Sequence, residues 1–322
     1  MGSPLSIVVF GVSNLEETTA FYRDVIGLDA SDESLWSGAN FEALWQLPKG
    51  AAAKVRLFSL GGSPVGRILA LEFDAPDRKI VDDTDERTFR AFWNINFYVD
   101  DIETAVAHLK KHNCRIWSEP FEYEMDQGVG SWMESVAIAP DNITVVLLQL
   151  PKDEDTQTGL ISEGSRETRT RFGFSQVATS SHSVSSYGKA YVFYRNVLGM
   201  EPIFEEIMAD PALNKLNSRP SDGKTRWAFL QGDDNYLGKV IISHPMNYTV
   251  PDRTKVAVPP NIGYLAQSFI VPDIKRAVED CNRLGAEVLS ETLAIDIPAI
   301  GQVNAVTVLN PGSDGLTLLF TE

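Results

Sequence analysis

Short apolar runs alternate with polar punctuation along this chain, and their order repeats. Residues 7–12 form a β-rich apolar run. Asn14 follows as a helix N-cap, with Glu17 at the third helical position. Leu15, Thr19, Tyr22 and Ile26 recur at helical spacing, and Gly27 supplies the stop. Residues 54–59 and 67–73 read as strands, separated by the turn cluster Gly61-Gly62-Ser63-Pro64. A second unit opens with a strand over 93–99. Asp101 caps a predicted helix over 102–112, whose apolar stripe is Ile102, Ala105, Val106 and Leu109. Strands over 114–117, 131–138 and 144–150 complete this unit.

The second half returns the pattern, with Asp273 capping a helix over 274–284 and Gly285 stopping it. Phe21-Tyr22-Arg23-Asp24-Val25-Ile26-Gly27-Leu28 recurs as Phe193-Tyr194-Arg195-Asn196-Val197-Leu198-Gly199-Met200, an offset of 172. Phe97 and Phe269, Gly66 and Gly238, and Ser118 and Ser290 keep that offset. Four segments at one offset mean a duplicated unit. The predicted organisation is a two-module domain over 1–150, a polar linker over 151–171, and a second two-module domain over 172–322. The polar stretches 74–90 and 205–226 are expected to be loops that rim a cavity.

Composition narrows the function classes. A chain of 322 residues, 43% of them hydrophobic, can build two ordinary domains. Its formal net charge of −16 argues against nucleic acid and anionic membranes as partners. No apolar run approaches the roughly 18 residues of a membrane span, and no secretion signal is evident. Cytoplasmic residence is the expectation. Cys114 and Cys281 do not share the repeat offset, so free thiols are expected rather than a disulfide. No glycine-rich phosphate loop or nucleophile motif appears, and no cofactor is expected.

The two helix motifs, with Pro140-Asp141-Asn142-Ile143-Thr144 and Pro311-Gly312-Ser313-Asp314-Gly315-Leu316 before the last strands, are those of a known family. The sequence resembles the vicinal oxygen chelate superfamily of glyoxalases, bleomycin-resistance proteins and extradiol dioxygenases. The resemblance implies an α+β fold of four βαβββ modules. They form two cup-shaped mixed β-sheets with helices outside, each cup from two consecutive modules. In metal-using members, a histidine on a first strand and a glutamate on a last strand bind a divalent cation. The histidine positions fall here on Ile7, Asn94, Thr179 and Ala266, with Gln176 and His182 as alternatives in the third module. The glutamate positions fall on Ala70, Val145, Ile242 and the run 316–319. None is a strong ligand, so no metal site is expected.

Strand alternation then assigns faces. Asn94, Asn96 and Tyr98 share the ligand face, where they bind a small molecule or simply meet water. The same reasoning puts Ile68, Ala70 and Glu72 in one cup and Val240, Ile242 and His244 in the other. Glu72, Tyr98 and His244 are therefore candidate acid/base groups. Trp45 and Trp132 are candidate cup-lining aromatics, or else core. Residues 119–126, Tyr123 among them, lie where the family places segments that cover substrate; otherwise they are a solvated acidic loop.

Two functions compete. One is a metal-independent enzyme of lyase or isomerase type, acting on a small cyclic or aromatic molecule in one cup, with the first half favoured. The other is a non-catalytic binding or resistance protein. A metal-dependent extradiol-type dioxygenase ranks third. A small organic molecule is the only expected partner, and the oligomeric state, monomer or homodimer, stays open.

Overall fold

The computed structural model describes residues 2–321 except 76, 84–87, 126–127, 153–154 and 234. The first module holds β1 (Leu5–Gly11), α1 (Leu15–Thr19, continued by a π-helical stretch Ala20–Ile26), β2 (Asp29–Ala30), β3 (Ser34–Ser37), α2 (Ala39–Trp45), β4 (Ala52–Ser59) and β5 (Arg67–Phe73). The second holds β6 (Ala91–Val99), α3 (Ile102–Lys111), β7 (Arg115–Met125), β8 (Gly130–Ile138) and β9 (Thr144–Gln149). Helix α4 (Gln157–Ser165) follows. The third module holds β10 (Phe174–Ser183), α5 (Tyr187–Asn196), β11 (Glu201–Met208), α6 (Pro211–Leu216), β12 (Thr225–Gln231) and β13 (Lys239–Pro245). The fourth holds β14 (Gly263–Ile270), α7 (Ile274–Arg283), β15 (Glu287–Val288), β16 (Leu293–Ile297), β17 (Gly301–Leu309) and β18 (Leu316–Thr321).

The capping chemistry works as the sequence predicts. Asn14 Oδ1 accepts from the N–H groups of Glu16 and Glu17 at 2.9 and 3.1 Å. Asp101 accepts from Thr104 N–H at 2.7 Å, and Asp273 from Arg276 N–H at 3.0 Å. Gly27 ends its helix at φ 92°. Three polar stretches differ from expectation. The linker contains α4. Residues 119–125 belong to β7 rather than to a loop, and Asp126 lies outside the described residues. The stretch 205–226 contains the end of β11 and helix α6. In β7 the partly exposed carboxylates alternate with inward residues such as Tyr123 and Met125, a strand pattern that charge density masks.

The strands form two curled mixed sheets. One runs β15-β17-β18-β14-β1-β5-β4-β2, flanked by β3 and β16; the other runs β11-β12-β13-β10-β6-β9-β8-β7. Modules one and four share the first sheet and modules two and three the second. The expected pairing of module one with two and of three with four, one domain per half, is therefore corrected. The physical reason lies in the first strands. β1 pairs in parallel with β5 on one side and needs a partner on its other edge. Either β6 or β14 would satisfy that edge. β14 takes it, antiparallel, while β6 pairs with β10. The repeat establishes which modules are equivalent but not which edges join.

Alternation divides each first strand between two environments. Phe10, Ile95, Phe97 and Phe269 face the helices and the seam between sheets, packed with Tyr22, Leu109 and Phe193. Ile7, Val9 and Ala266 face the opposite way, into the concave side of the first sheet. Burial on this scale, at ~25 cal/mol per Å² of apolar area, outweighs local strand propensity in fixing the faces.

Candidate functional site

The two concave faces are not alike. The cup of modules one and four is filled by its own chain. Trp36, Phe41, Leu44 and Trp45, from β3 and α2, pack onto Ile7, Val9, Leu69, Leu71, Leu316 and Leu318. Trp36 lies 4.9 Å from Phe41 and edge-on to Trp45 at 6.2 Å, centroid to centroid.

The cup of modules two and three is hollow, with about 940 Å³ of free space including its mouth. Its walls are Trp93, Val146, Leu148, Phe204, Trp227 and Phe229. Among them stand the polar heads of Asn94, Asn96, Thr179 and Ser181. The two asparagines are each 4% exposed. Asn94 Oδ1, Asn96 Oδ1, Thr179 Oγ1 and the indole nitrogens of Trp93 and Trp227 are buried without hydrogen-bond partners. Each unmade bond costs about 1–3 kcal/mol, so a row of them marks a surface shaped to meet something polar.

Equivalent positions explain the contrast. At the repeat offset, Ile7 corresponds to Thr179, Val9 to Ser181, Leu71 to Ser243 and Trp45 to Asn217. Every filled-cup member of these pairs is apolar. Every open-cup member carries a hydroxyl or an amide and lines the hollow.

The hollow also holds charge. Lys239 stands opposite Thr179 in the parallel ladder, is 1% exposed, and donates from Nζ to the Tyr236 carbonyl. Burial pushes this amine down to about 7. Its Nζ lies 5.2 Å from the centre of the Tyr98 ring. Arg219, 6% exposed, follows α6; burial lowers its pKa, offset in part by Tyr248 and Glu134. Glu134, on β8, also lines the hollow and accepts from Trp132 Nε1 at 3.3 Å.

The residues predicted from sequence divide among three places. Asn94, Asn96, Tyr98 and Trp132 line the hollow. Burial raises the Tyr98 phenol well above its ordinary range, so it is a hydrogen-bonding group there rather than a phenolate. Tyr123 packs against Trp132 beside the hollow, ring centroids 4.8 Å apart and planes tilted by 50°, its phenol pushed up to about 12 by burial and then by the nearby Asp210, Glu206 and Glu134 carboxylates. Trp45 is core of the filled cup, far from the hollow in the fold.

Glu72 and His244 are on the wrong face. Parallel partners share a face, and Ile7 and Val9 pair with Arg67 and Leu69. The concave row of β5 is thus 67, 69 and 71, one residue out of step with the predicted row. Glu72 Oε2 instead accepts from the Leu15 N–H at 2.7 Å, at the start of α1. His244 Nδ1 sits 3.0 Å from the Val184 carbonyl. The same one-residue step puts Ala70, Val145 and Ile242 on the helix-facing side. His182 is there too, 3.4 Å from the Tyr194 hydroxyl and pushed down to about 3 by burial.

Sequence reasoning missed Arg219, Lys239, Glu134 and Asn217. A side-by-side comparison of the two cup rows at the repeat offset carries the signal for the third-module members. Among the described residues, no three of His, Cys, Asp and Glu come together. Cys114 and Cys281 are free thiols, as expected. Among the described residues, no helix is long and apolar enough to cross a membrane.

Four βαβββ modules, paired into two curled sheets with one hollow cup, define the α+β architecture to which the sequence motifs point. The pattern of the Glyoxalase/Bleomycin resistance protein/Dioxygenase superfamily matches residues 5–147. Residues 5–147 carry that superfamily's pattern, and the helix motif recurs in the second half at the repeat offset. Solved structures extend the likeness across both sheets. Glyoxalase I from Zea mays is 15% identical at a TM-score of 0.63, covering 99% of this chain and 92% of that one. A candidate dioxygenase from Bacillus subtilis is 12% identical at a TM-score of 0.61, covering 99% of this chain and 85% of that one. At such identities the likeness is one of fold. No curated protein sequence matches significantly.

Proposed function

We propose that the protein is an acid/base enzyme of lyase or isomerase type. It takes a small cyclic or aromatic organic molecule into the cup of modules two and three and acts on it without a bound metal. One observation carries this reading: the unpartnered heads of Asn94, Asn96 and Thr179 in a hollow walled by aromatic and aliphatic side chains. Apolar walls accept a ring. The Thr179 hydroxyl and the Nδ2 groups of Asn94 and Asn96 can donate to a carbonyl and to the oxyanion formed when a neighbouring proton leaves, while the unpartnered Oδ1 atoms accept from a hydroxyl or N–H of the ligand. Lys239, with its amine poised near neutral pH, is a base of suitable strength, and Glu134 is a second proton carrier in the same hollow.

The donor set does not suit a divalent cation. The family's first-strand ligand positions in this cup are Asn94 and Thr179, a neutral amide and a hydroxyl. Among the described residues, two buried cationic heads, Lys239 and Arg219, share the space with one carboxylate, Glu134. Divalent ions require several convergent anionic or imidazole ligands.

Proton exchange next to a carbonyl tests the reading. 2-Tetralone in D2O, followed by proton NMR, is expected to lose its α-protons faster with the protein, and dialysis against EDTA is expected to leave that rate unchanged. Asn96→Leu and Lys239→Met should each slow exchange by about 10–100-fold. Exchange that neither substitution slows would remove the cup as the reacting site. Stoichiometric binding with no exchange would leave a sequestering protein.

A further inference from the structure

The hollow contains a group that the acid/base reading does not use. Arg219 reaches it from the turn after α6, where its N–H donates to the Asn214 carbonyl at 2.8 Å. Nη1 contacts Thr225 Oγ1 at 3.3 Å, and Cζ lies 5.4 Å from the Trp227 ring centre. Nε and Nη2 are buried with no hydrogen-bond partner. In a planar guanidinium these two N–H groups point the same way along one edge, spaced to match the two oxygens of a carboxylate. The same protein uses that edge elsewhere: Arg23 holds Asp24 through Nε and Nη2 at 2.8 Å each.

At Arg219 the edge is built but empty. Glu134 is the acidic side chain that bears on it, and Tyr248 is the other ionisable neighbour. Neither supplies a hydrogen bond to Nε or Nη2. A guanidinium that lines the hollow and is this deeply buried, with its bidentate edge unpaired, is a recognition element for a planar anion. The indole face of Trp227 fixes the plane of the fork.

We propose that the molecule taken by this cup carries a carboxylate, held bidentately by the Nε–Nη2 edge of Arg219 while its apolar ring lies against the aromatic walls. The inference rests on the cup being the binding site and adds the substrate class, a cyclic or aromatic carboxylic acid. The net charge of −16 does not attract such an anion from a distance, so recognition is a short-range matter of the desolvated fork.

Paired acids and amides test this. The probes are 3-phenylpropionate and 2-naphthoate against 3-phenylpropionamide and 2-naphthamide, titrated calorimetrically into the intact chain. Each acid is expected to bind at least about tenfold more tightly than its amide. Arg219→Gln should bring the acid to the level of the amide and leave the amide unchanged. Arg219→Lys should restore only part of the preference, because a point charge replaces the fork. Circular dichroism confirms that each variant is folded. Amides that bind as tightly as acids, a preference that survives Arg219→Gln, or no binding by either series would overturn the carboxylate. 2-Tetralone has no carboxylate, so its exchange reports on the cup alone and separates failure of this inference from failure of the acid/base reading.

Discussion

Gly66 and Gly238 occupy equivalent places in a closed ring of four backbone hydrogen bonds that ties the two sheets together. Leu5 N–H donates to the Gly238 carbonyl at 2.8 Å, Gly238 N–H to Val177 at 3.3 Å, Val177 N–H to Gly66 at 3.1 Å, and Gly66 N–H to Leu5 at 3.0 Å. The repeat offset relates Leu5 to Val177 as it relates the glycines. The ring is therefore the local signature of the duplication. Both glycines have φ near +65°, and an added Cβ would lie 2.4 Å from the Val177 oxygen at Gly66 and 2.7 Å from the Leu5 oxygen at Gly238.

Replacing either glycine should be severe. Gly66→Ala and Gly238→Ala are each expected to cost at least about 2–4 kcal/mol, from left-handed strain plus a backbone clash. Denaturant unfolding of each variant reads this directly. A loss within 0.5 kcal/mol of zero would mean that the ring yields without cost.

Trp45 separates the two cups. Trp45→Ala should destabilise the fold by about 3–5 kcal/mol, because it opens a void in the filled cup. At a temperature where the variant stays folded, exchange of 2-tetralone should match the parent protein. Loss of exchange in the folded variant would give the filled cup a functional part.

Glu72 accepts from the Leu15 N–H at the start of a helix and lies off the concave face. Glu72→Gln should lower stability by roughly 0.3–1 kcal/mol and leave exchange unchanged. Chemical denaturation and the NMR exchange rate, measured on one preparation, distinguish this from a catalytic role.

Lys239 gives the protein a pH signature. Its folded pKa, about 7, lies below the ordinary lysine value of 10.5. Between those two values the unfolded chain binds the extra proton, so stability rises with pH across that window and is lost as pH falls toward 7. Lys239→Met should remove that rise, and its stability advantage over the parent should be greatest at and below pH 7. If Lys239 is the base, exchange should also climb through about pH 7 in the parent and stay flat in the variant. A parent rate with no inflection near neutrality would assign the proton transfer elsewhere.

The four-module fold was legible because helix caps, apolar stripes and the FYR motifs all recur at one spacing. Asn94, Asn96 and Tyr98 were legible for a similar reason, since a single strand's alternation separates them cleanly from Trp93, Ile95 and Phe97. Glu72 and His244 were misplaced because their faces depend on register between two strands, and no periodicity within one strand supplies it. The sheet partners were hidden because β6 and β14 offer β1 equivalent edges. Arg219 was hidden in a polar stretch that reads as loop, and Lys239 directly follows a turn glycine. Their importance comes from burial, which folding alone creates. The row comparison of Ile7 with Thr179 and Trp45 with Asn217 was present in the sequence from the start.

Hydrogen-exchange mass spectrometry with and without saturating 2-tetralone tests the central claim most directly, because it locates the ligand in one cup or the other. Added protection is expected on peptides covering residues 91–99, 130–138 and 211–243. Protection confined to residues 34–73 and 293–320, around the filled cup, would contradict it.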